Sequence, residues 1–353
     1  MNKVEFFKLK KENILFKLKR NYLSLIEKEE RNFFESALYI LLYLLSFFYH
    51  LIIFLRNFLY DKKILPIYIS SKKIISVGGL SWAGSGKTTF ALWFYKKLSK
   101  KFKIAVLRRG YGEDENRLFE EEGTNIFWHP NRINLVKKLE KKIDIFILDD
   151  GFQYRRLKRD LDIVIIGPQD FKNRKRLIPA SFLREPFSSL KRVDLLVLNY
   201  KNRIKPLEEI KKEFLSSFPH LKIYFASYKL KKFVKLNDKN VEEDYFKERR
   251  VAALTAIGYP EGLFEMLKEH IPHLEFKIKF PDHYCLKEEE FISLKNYLLS
   301  REIKDLIITH KDKFHLPAVA FNCDLNIFIT KIEVEIEGER SLLKNIEEKL
   351  CTT

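Results

Sequence analysis

Apolar residues along this chain fall into three textures. The first is one long run, residues 37–55 (ALYILLYLLSFFYHLIIFL), uncharged apart from the titratable His50. As a helix it would rise roughly 28 Å, about one bilayer core. Within it and just beyond, Tyr39, Tyr43, Ser46, His50 and Asn57 recur at three- and four-residue steps, a weak polar stripe. The second texture is a series of short, near-continuous apolar runs. Lys73–Val77, Ile104–Leu107, Ile143–Leu148, Leu161–Ile166 and Asp194–Leu198 read as strands, and Phe90–Leu98 has helical spacing. Runs of that kind separated by helical stretches predict a parallel α/β sheet with helices on both faces. The third texture starts near residue 222. Segment 228–250 is strongly charged and linker-like, and strands follow at Arg250–Leu254, Phe276–Phe280 and Asp305–Thr309. The expected division is therefore a basic arm and membrane-seeking helix (1–60), an α/β core (61–227), and a linker with a smaller C-terminal α/β domain (228–353).

The strand ends carry the chemistry. Ser76-Val-Gly-Gly-Leu-Ser-Trp-Ala-Gly-Ser-Gly-Lys-Thr-Thr89 joins the first strand to a helix. Glycines there let successive N–H groups point at an anion, and the helix N-terminus adds its dipole. This is a P-loop, spanning Ser81, Trp82, Ala83, Gly84, Ser85, Gly86, Lys87 and Thr88, although Ser81 stands where the strict pattern has Gly. Lys87 is expected on the β- and γ-phosphates and Thr88 on Mg²⁺. Asp149-Asp150 closes another apolar strand as a Walker-B-like pair suited to the same ion. The fold expected of the core is thus P-loop NTPase-like, with ligands beyond the carboxyl ends of its strands.

Charge narrows the partners. The net charge of +18 calls for acidic ones, but the basic residues are scattered and no nucleic-acid recognition motif appears. No protein partner is evident. Cys285, Cys323 and Cys351 stand singly, which fits a reducing cytoplasm and neither a zinc site nor a disulfide framework. The N-terminus lacks the plan of a signal peptide. Lys8, Lys10, Lys11, Lys17, Lys19 and Arg20 precede the long apolar run and Arg56, Lys62 and Lys63 follow it, so the positive-inside rule gives no orientation. An interfacial or partly inserted helix, its basic arm drawn to anionic lipid, is the favoured reading; a buried core helix and a single span are the alternatives.

Seven motifs occur in order: VGGLSWAGSGKT, RRGYG (108–112), EDE (113–115), DDGFQYRRLKRDLDIV (149–164), RLIPASFLREP (176–186), FPDHY (280–284) and THKD (309–312). In this combination the chain resembles the tetraacyldisaccharide 4'-kinases over roughly residues 37–320. The resemblance implies transfer of the ATP γ-phosphate to the 4'-hydroxyl of a tetraacylated glucosamine disaccharide 1-phosphate, at the cytoplasmic face of the bacterial inner membrane. It implies that Asp114 and His283, taken to lie in different domains, form a dyad activating the acceptor hydroxyl. It also brings Glu115, Gln153, Arg184 and Glu185 near the active site, with less defined roles. Tyr154 replaces the usual His after DDGFQ. The rival reading is a membrane-associated P-loop ATPase or GTPase with another substrate or a switch role; Thr309-His-Lys-Asp312 is a near miss to a guanine motif.

Overall fold

The computed structural model describes residues 3–5, 14–28, 30–82, 84–110, 112–168, 170, 176–200, 207–236 and 240–351. Two compact units emerge. One comprises residues 18–111, 119–227 and 334–353, and the other residues 1–17, 112–118 and 228–333. Asp114 and His283 thus share the second unit, although 169 positions separate them.

The larger unit is built on parallel strands: β2 (Lys73–Gly78), β3 (Ile104–Arg108), β4 (Ile126–Trp128), β5 (Ile145–Asp149), β6 (Leu161–Ile166) and β7 (Leu195–Asn199). The order is β7-β6-β2-β5-β3-β4, with Lys222–Ala226 of strand β8 (Lys222–Lys235) pairing beyond β7. Every pairing in this set is parallel. The core strands are buried on both faces, which is why they read as unbroken apolar runs. Helix α1 (Ile14–Glu27) contributes Leu25 and Ile26 to a cluster with Tyr39, Ala180 and Phe182, so this part of the N-terminal arm belongs to the folded body. The C-terminal helix Glu339–Cys351 also belongs to this unit, through buried Leu342, Ile346 and Leu350 and ion pairs from Lys101 to Glu347 and Lys349 to Asp194.

Helix α2 (Phe33–Asp61) starts with an Asn32/Glu35 capping box. Only Tyr39, Ser46 and Ile53 of it are buried, a line of every seventh residue. A seam of hydrogen bonds follows that line: Tyr39 to the Ala180 carbonyl, Ser46 to the Leu177 carbonyl at 2.8 Å, and Tyr49 to the Arg184 carbonyl at 3.1 Å. Most of the remaining large apolar side chains, among them Phe34, Leu41, Phe48, Ile52 and Phe54, are exposed.

In the smaller unit β1 (Lys3–Glu5), β11 (Leu274–Lys279), β10 (Val251–Thr255), β12 (Asp305–Thr309) and β13 (Asn326–Ile336) line up in that order, again in parallel register. The segment read as a linker is largely structured. Leu230, Phe233 and Val234 of β8 are buried, and β9 (Asn240–Val241) pairs with it antiparallel. The acidic 113–115 segment is also helical, opening α4 (Glu113–Glu121) with three acids in the turn that the helix dipole favours for them.

Candidate active site

The P-loop leaves β2 and winds into α3 (Lys87–Leu98). Gly86 caps this helix at φ 90°, a left-handed conformation open to glycine at little cost. Buried Asn199, at the end of β7, donates its side-chain N–H to the Ser85 carbonyl at 3.0 Å and fixes the loop from behind. Lys87 donates to the Ser81 carbonyl at 3.1 Å and to Ser85 Oγ at 3.3 Å, so its ammonium lies over the loop. Burial pulls the Lys87 pKa down, and the charges of Asp150, Asp170 and Asp149 act against that. Trp82 packs on Phe182, its rings 5.4 Å apart, while Ala83 lies outside the described residues.

The acid pair divides into two environments. Asp149 ends β5 with its carboxylate 2.8 Å from Arg108 Nε and 3.5 Å from the Thr88 hydroxyl. Asp150 turns out of the strand at φ 50° and takes both guanidinium nitrogens of Arg184, at 2.7 and 2.6 Å. Burial alone would raise the Asp150 pKa; Arg184, Lys87 and Arg132 outweigh it and hold the carboxyl below the usual range. Arg184 also donates to the Ser81 carbonyl at 3.0 Å, tying the acid pair to the P-loop. Gln153 does the same through Gly79, at 2.9 Å.

Glu185, one residue on, has a different part. Its side chain is fully buried and accepts from Arg56 (2.9 Å), Asn57 (3.0 Å), Ser189 (3.0 Å) and Arg192 (2.8 Å). Arg56 and Asn57 belong to α2, so Glu185 staples the apolar helix beside the Arg184–Asp150 pair. No motif points to Arg132, which pairs with Tyr154, the residue after DDGFQ. Arg132 donates to the Asp149 carbonyl at 3.0 Å, and its guanidinium lies 4.3 Å from the centre of the Tyr154 ring. The Tyr154 hydroxyl donates to Asn131, which caps helix α5 (Arg132–Leu139). Tyr154 therefore orients Arg132 and its cap.

In the smaller unit, His283 sits at φ 63°, rare for a residue with a Cβ. Its Nδ1 lies 3.1 and 3.0 Å from the two Asp114 carboxylate oxygens. Asp114 is buried, whereas the His283 side chain is 41% exposed. Gly112 precedes the pair at φ 75°; a Cβ there would meet Asp114 Oδ1 at 3.1 Å and His283 Cε1 at 3.4 Å. Asp114 also meets His315 Nε2 at 3.3 Å and Lys311 Nζ at 3.5 Å. Burial works to raise the Asp114 pKa, but the bonds from His283 and His315 and the charge of Lys311 hold it far below the carboxylate range. The Asp114 bond in turn raises the His283 pKa, against burial and Lys311. Glu115 faces Lys311 at 3.4 Å. Asp312 is buried and accepts from Ala256 N (2.7 Å), Thr309 N (3.0 Å) and Thr309 Oγ1 (2.6 Å). The THKD carboxylate is thus consumed in holding its own loop.

Residues 38–125 and 114–351 match the family model described as Tetraacyldisaccharide-1-P 4'-kinase. A Tetraacyldisaccharide 4'-kinase of Aquifex aeolicus is 32% identical over 334 residues, covering 85% of this chain and 96% of its own length. That of Halothermothrix orenii is 28% identical over 386 residues, covering 95% and 98%. A crystal structure of "apo" form LpxK from Aquifex aeolicus in complex with ATP matches with TM-score 0.65 at 29% identity, covering 87% of this chain and 97% of that one.

Proposed function

Because the chain belongs to the tetraacyldisaccharide-1-phosphate 4'-kinase family, we propose that it moves the γ-phosphate of ATP onto the 4'-hydroxyl of a tetraacylated glucosamine disaccharide 1-phosphate. The observation that carries this reading beyond a generic nucleotide site is the buried Asp114 carboxylate holding an accessible imidazole. A switch protein has no use for such a device. A kinase whose acceptor is a sugar hydroxyl, a poor nucleophile, does.

In this mechanism the P-loop amides and Lys87 hold the β- and γ-phosphates and neutralise charge developing on the transferred group. Lys87 exchanges its bonds to Ser81 and Ser85 for phosphate oxygens. The Thr88 hydroxyl beside Asp149 offers hard oxygen donors that fit Mg²⁺. When bound, that ion would draw charge from the phosphate oxygens. Asp150 fits a different role: with both oxygens on Arg184, it sets that guanidinium against the P-loop carbonyl of Ser81. The Asp114–His283 pair takes the proton of the acceptor hydroxyl as its oxygen bonds to phosphorus and the bond to ADP breaks. The proton then passes to solvent.

The substrate stays in a bilayer, and α2 provides the means to reach it. Its bonded seam runs from Tyr39 to Asn57, about 27 Å of helix at 1.5 Å per residue. A helix attached to the folded body along that length cannot cross a membrane without taking the body in with it. This supports α2 lying in the interface, at the cytoplasmic face of the inner membrane, its exposed apolar side in the lipid and basic residues over anionic headgroups. A guanine-nucleotide switch loses its footing, because Asp312 is occupied by its own loop.

The test is phosphate transfer from γ-labelled ATP to the acylated disaccharide, with lipid products separated by thin-layer chromatography. Label is expected in the lipid, with ADP release dependent on the acceptor. Equal ADP release without acceptor would favour an ATPase instead.

A further inference from the structure

Lys311 is an unusual neighbour for a base. Its side chain is 17% exposed and its ammonium lies 3.3 Å from Asp282, 3.4 Å from Glu115 and 3.5 Å from Asp114. It also lies 3.3 Å from His283 Nε2. An ammonium has only donors, so Nε2 must present its lone pair to Lys311. A carboxylate only accepts, so the Nδ1 facing Asp114 must carry the proton. One tautomer satisfies both contacts, with the lone pair on the nitrogen away from Asp114. Protonating Nε2 would set an N–H against an ammonium.

We infer that Lys311 is a positioning residue of the reaction: it fixes the tautomer of His283 and opposes protonation of the Asp114–His283 pair. This rests on the proposed role of that pair as the base. The charges facing the imidazole define the balance. Asp114 at 3.0 Å, Asp282 at 3.7 Å from Nε2 and, through Lys311, Glu115 all favour the imidazolium. Lys311 is the near cation opposing them, and the His315 ring, 6.3 Å from that of His283, ties up the same Asp114 oxygen. Cys285, two residues on, feels Asp114, Glu113 and Arg117. Burial disfavours the Lys311 charge, yet Asp282, Glu115 and Asp114 keep its pKa above the ordinary lysine range, so the cation persists wherever the enzyme works. Without it, three carboxylates would act on His283 unopposed and the imidazole would hold its proton to higher pH.

The experiment compares wild type with Lys311→Met, Lys311→Arg and Asp282→Asn. It reads the acid limb of kcat/KM and, separately, the titration of the His283 imidazole by NMR, assigned by its loss in His283→Gln. Lys311→Met is expected to move both to higher pH by about one unit or more, so that activity lost at pH 7 returns at alkaline pH. Lys311→Arg should keep both near wild type, and Asp282→Asn should move both lower. A purely structural lysine would lower the rate at every pH and leave the titration in place, which would overturn the inference. If Lys311→Met does not fold, Lys311→Gln is read in its place, and an unmoved titration there overturns the inference equally. The NMR reading needs no turnover, so a failed kinase assignment is distinguishable from a failed role for Lys311.

Discussion

Lys87, Asp149 and Asp150 were legible from the sequence because a P-loop and an acid-ended strand are local patterns. Their supports were not. Asn199 behind the loop, Arg132 over Tyr154 and His315 beside Asp114 come from elements distant in sequence, and only folding brings them in; Lys311 lies in the THKD motif, but its place beside Asp114 does not show there. Lys87→Ala is expected to cut turnover by several orders of magnitude, because charge stabilisation is most of phosphoryl-transfer catalysis. Near-normal turnover would remove Lys87 from the chemistry. Asp114→Asn and His283→Gln should each lower kcat strongly with ATP affinity little changed. The double variant should be barely worse than the worse single one, since residues working as a unit are not additive. Multiplicative losses would instead give the two residues separate tasks. Glu185 needs another experiment. Glu185→Ala leaves Arg56 and Arg192 without their buried partner and should destabilise the fold by about 3–5 kcal/mol, measurable by chemical denaturation.

Helix α2 was visible as an apolar run, but the purpose of its polar stripe was not. Three members of that stripe, Tyr39, Ser46 and Asn57, turn out to be the seam to the body; Tyr43 is exposed. Removing residues 1–60 would strip Glu185 of two partners and uncover Ala180 and Phe182. Such a truncation is therefore expected to lose the cooperative thermal transition and the stabilisation by ATP, and not merely membrane attachment. A truncated protein with unchanged nucleotide-dependent melting would make α2 a detachable anchor. Helix α4 and strand β8 escaped a reading by periodicity for one shared reason. Charged residues crowd their exposed positions, so the three buried apolar side chains of β8 beyond residue 227 (Leu230, Phe233 and Val234) and the one buried apolar side chain of α4, Phe119 at its far end, leave little hydrophobic signal.

Across the full chain, the three-part division missed that segments distant in sequence interleave. Residues 112–118 join the unit formed by 228–333, and residues 334–353 return to the other. No pattern of hydrophobic positions announces such returns, which depend on long-range pairs such as Lys349 with Asp194. Both units hold carboxyls with depressed pKa values, Asp114 in one and Asp150 and Glu185 in the other. A carboxyl lowered on folding adds stability above its unfolded pKa of about 4, and that stability is lost as pH falls toward the folded value. Denaturation midpoints should hold from pH 7 to about 5 and then drop steeply. A flat profile to pH 3 would show that these pairs do not govern stability. At the membrane, high salt should strip little wild-type protein, because the apolar side of α2 outweighs screened basic charge. Complete release by salt, read by sedimentation with vesicles, would reverse that ranking.

The seven-residue line of contact along α2 bears on how a water-soluble form could be engineered. Deletion is expected to fail for the reasons above, yet the helix uses only a narrow strip of its circumference. Exposed Leu41, Leu44, Phe48, Leu51, Phe54 and Leu55 are open to repainting with glutamate, lysine and glutamine. Tyr39, Ser46, Tyr49, Ile53, Arg56 and Asn57 would have to stay as they are. A chain so altered would keep its nucleotide chemistry in plain buffer and lose its access to lipid in vesicles, separating catalysis from substrate delivery in one polypeptide.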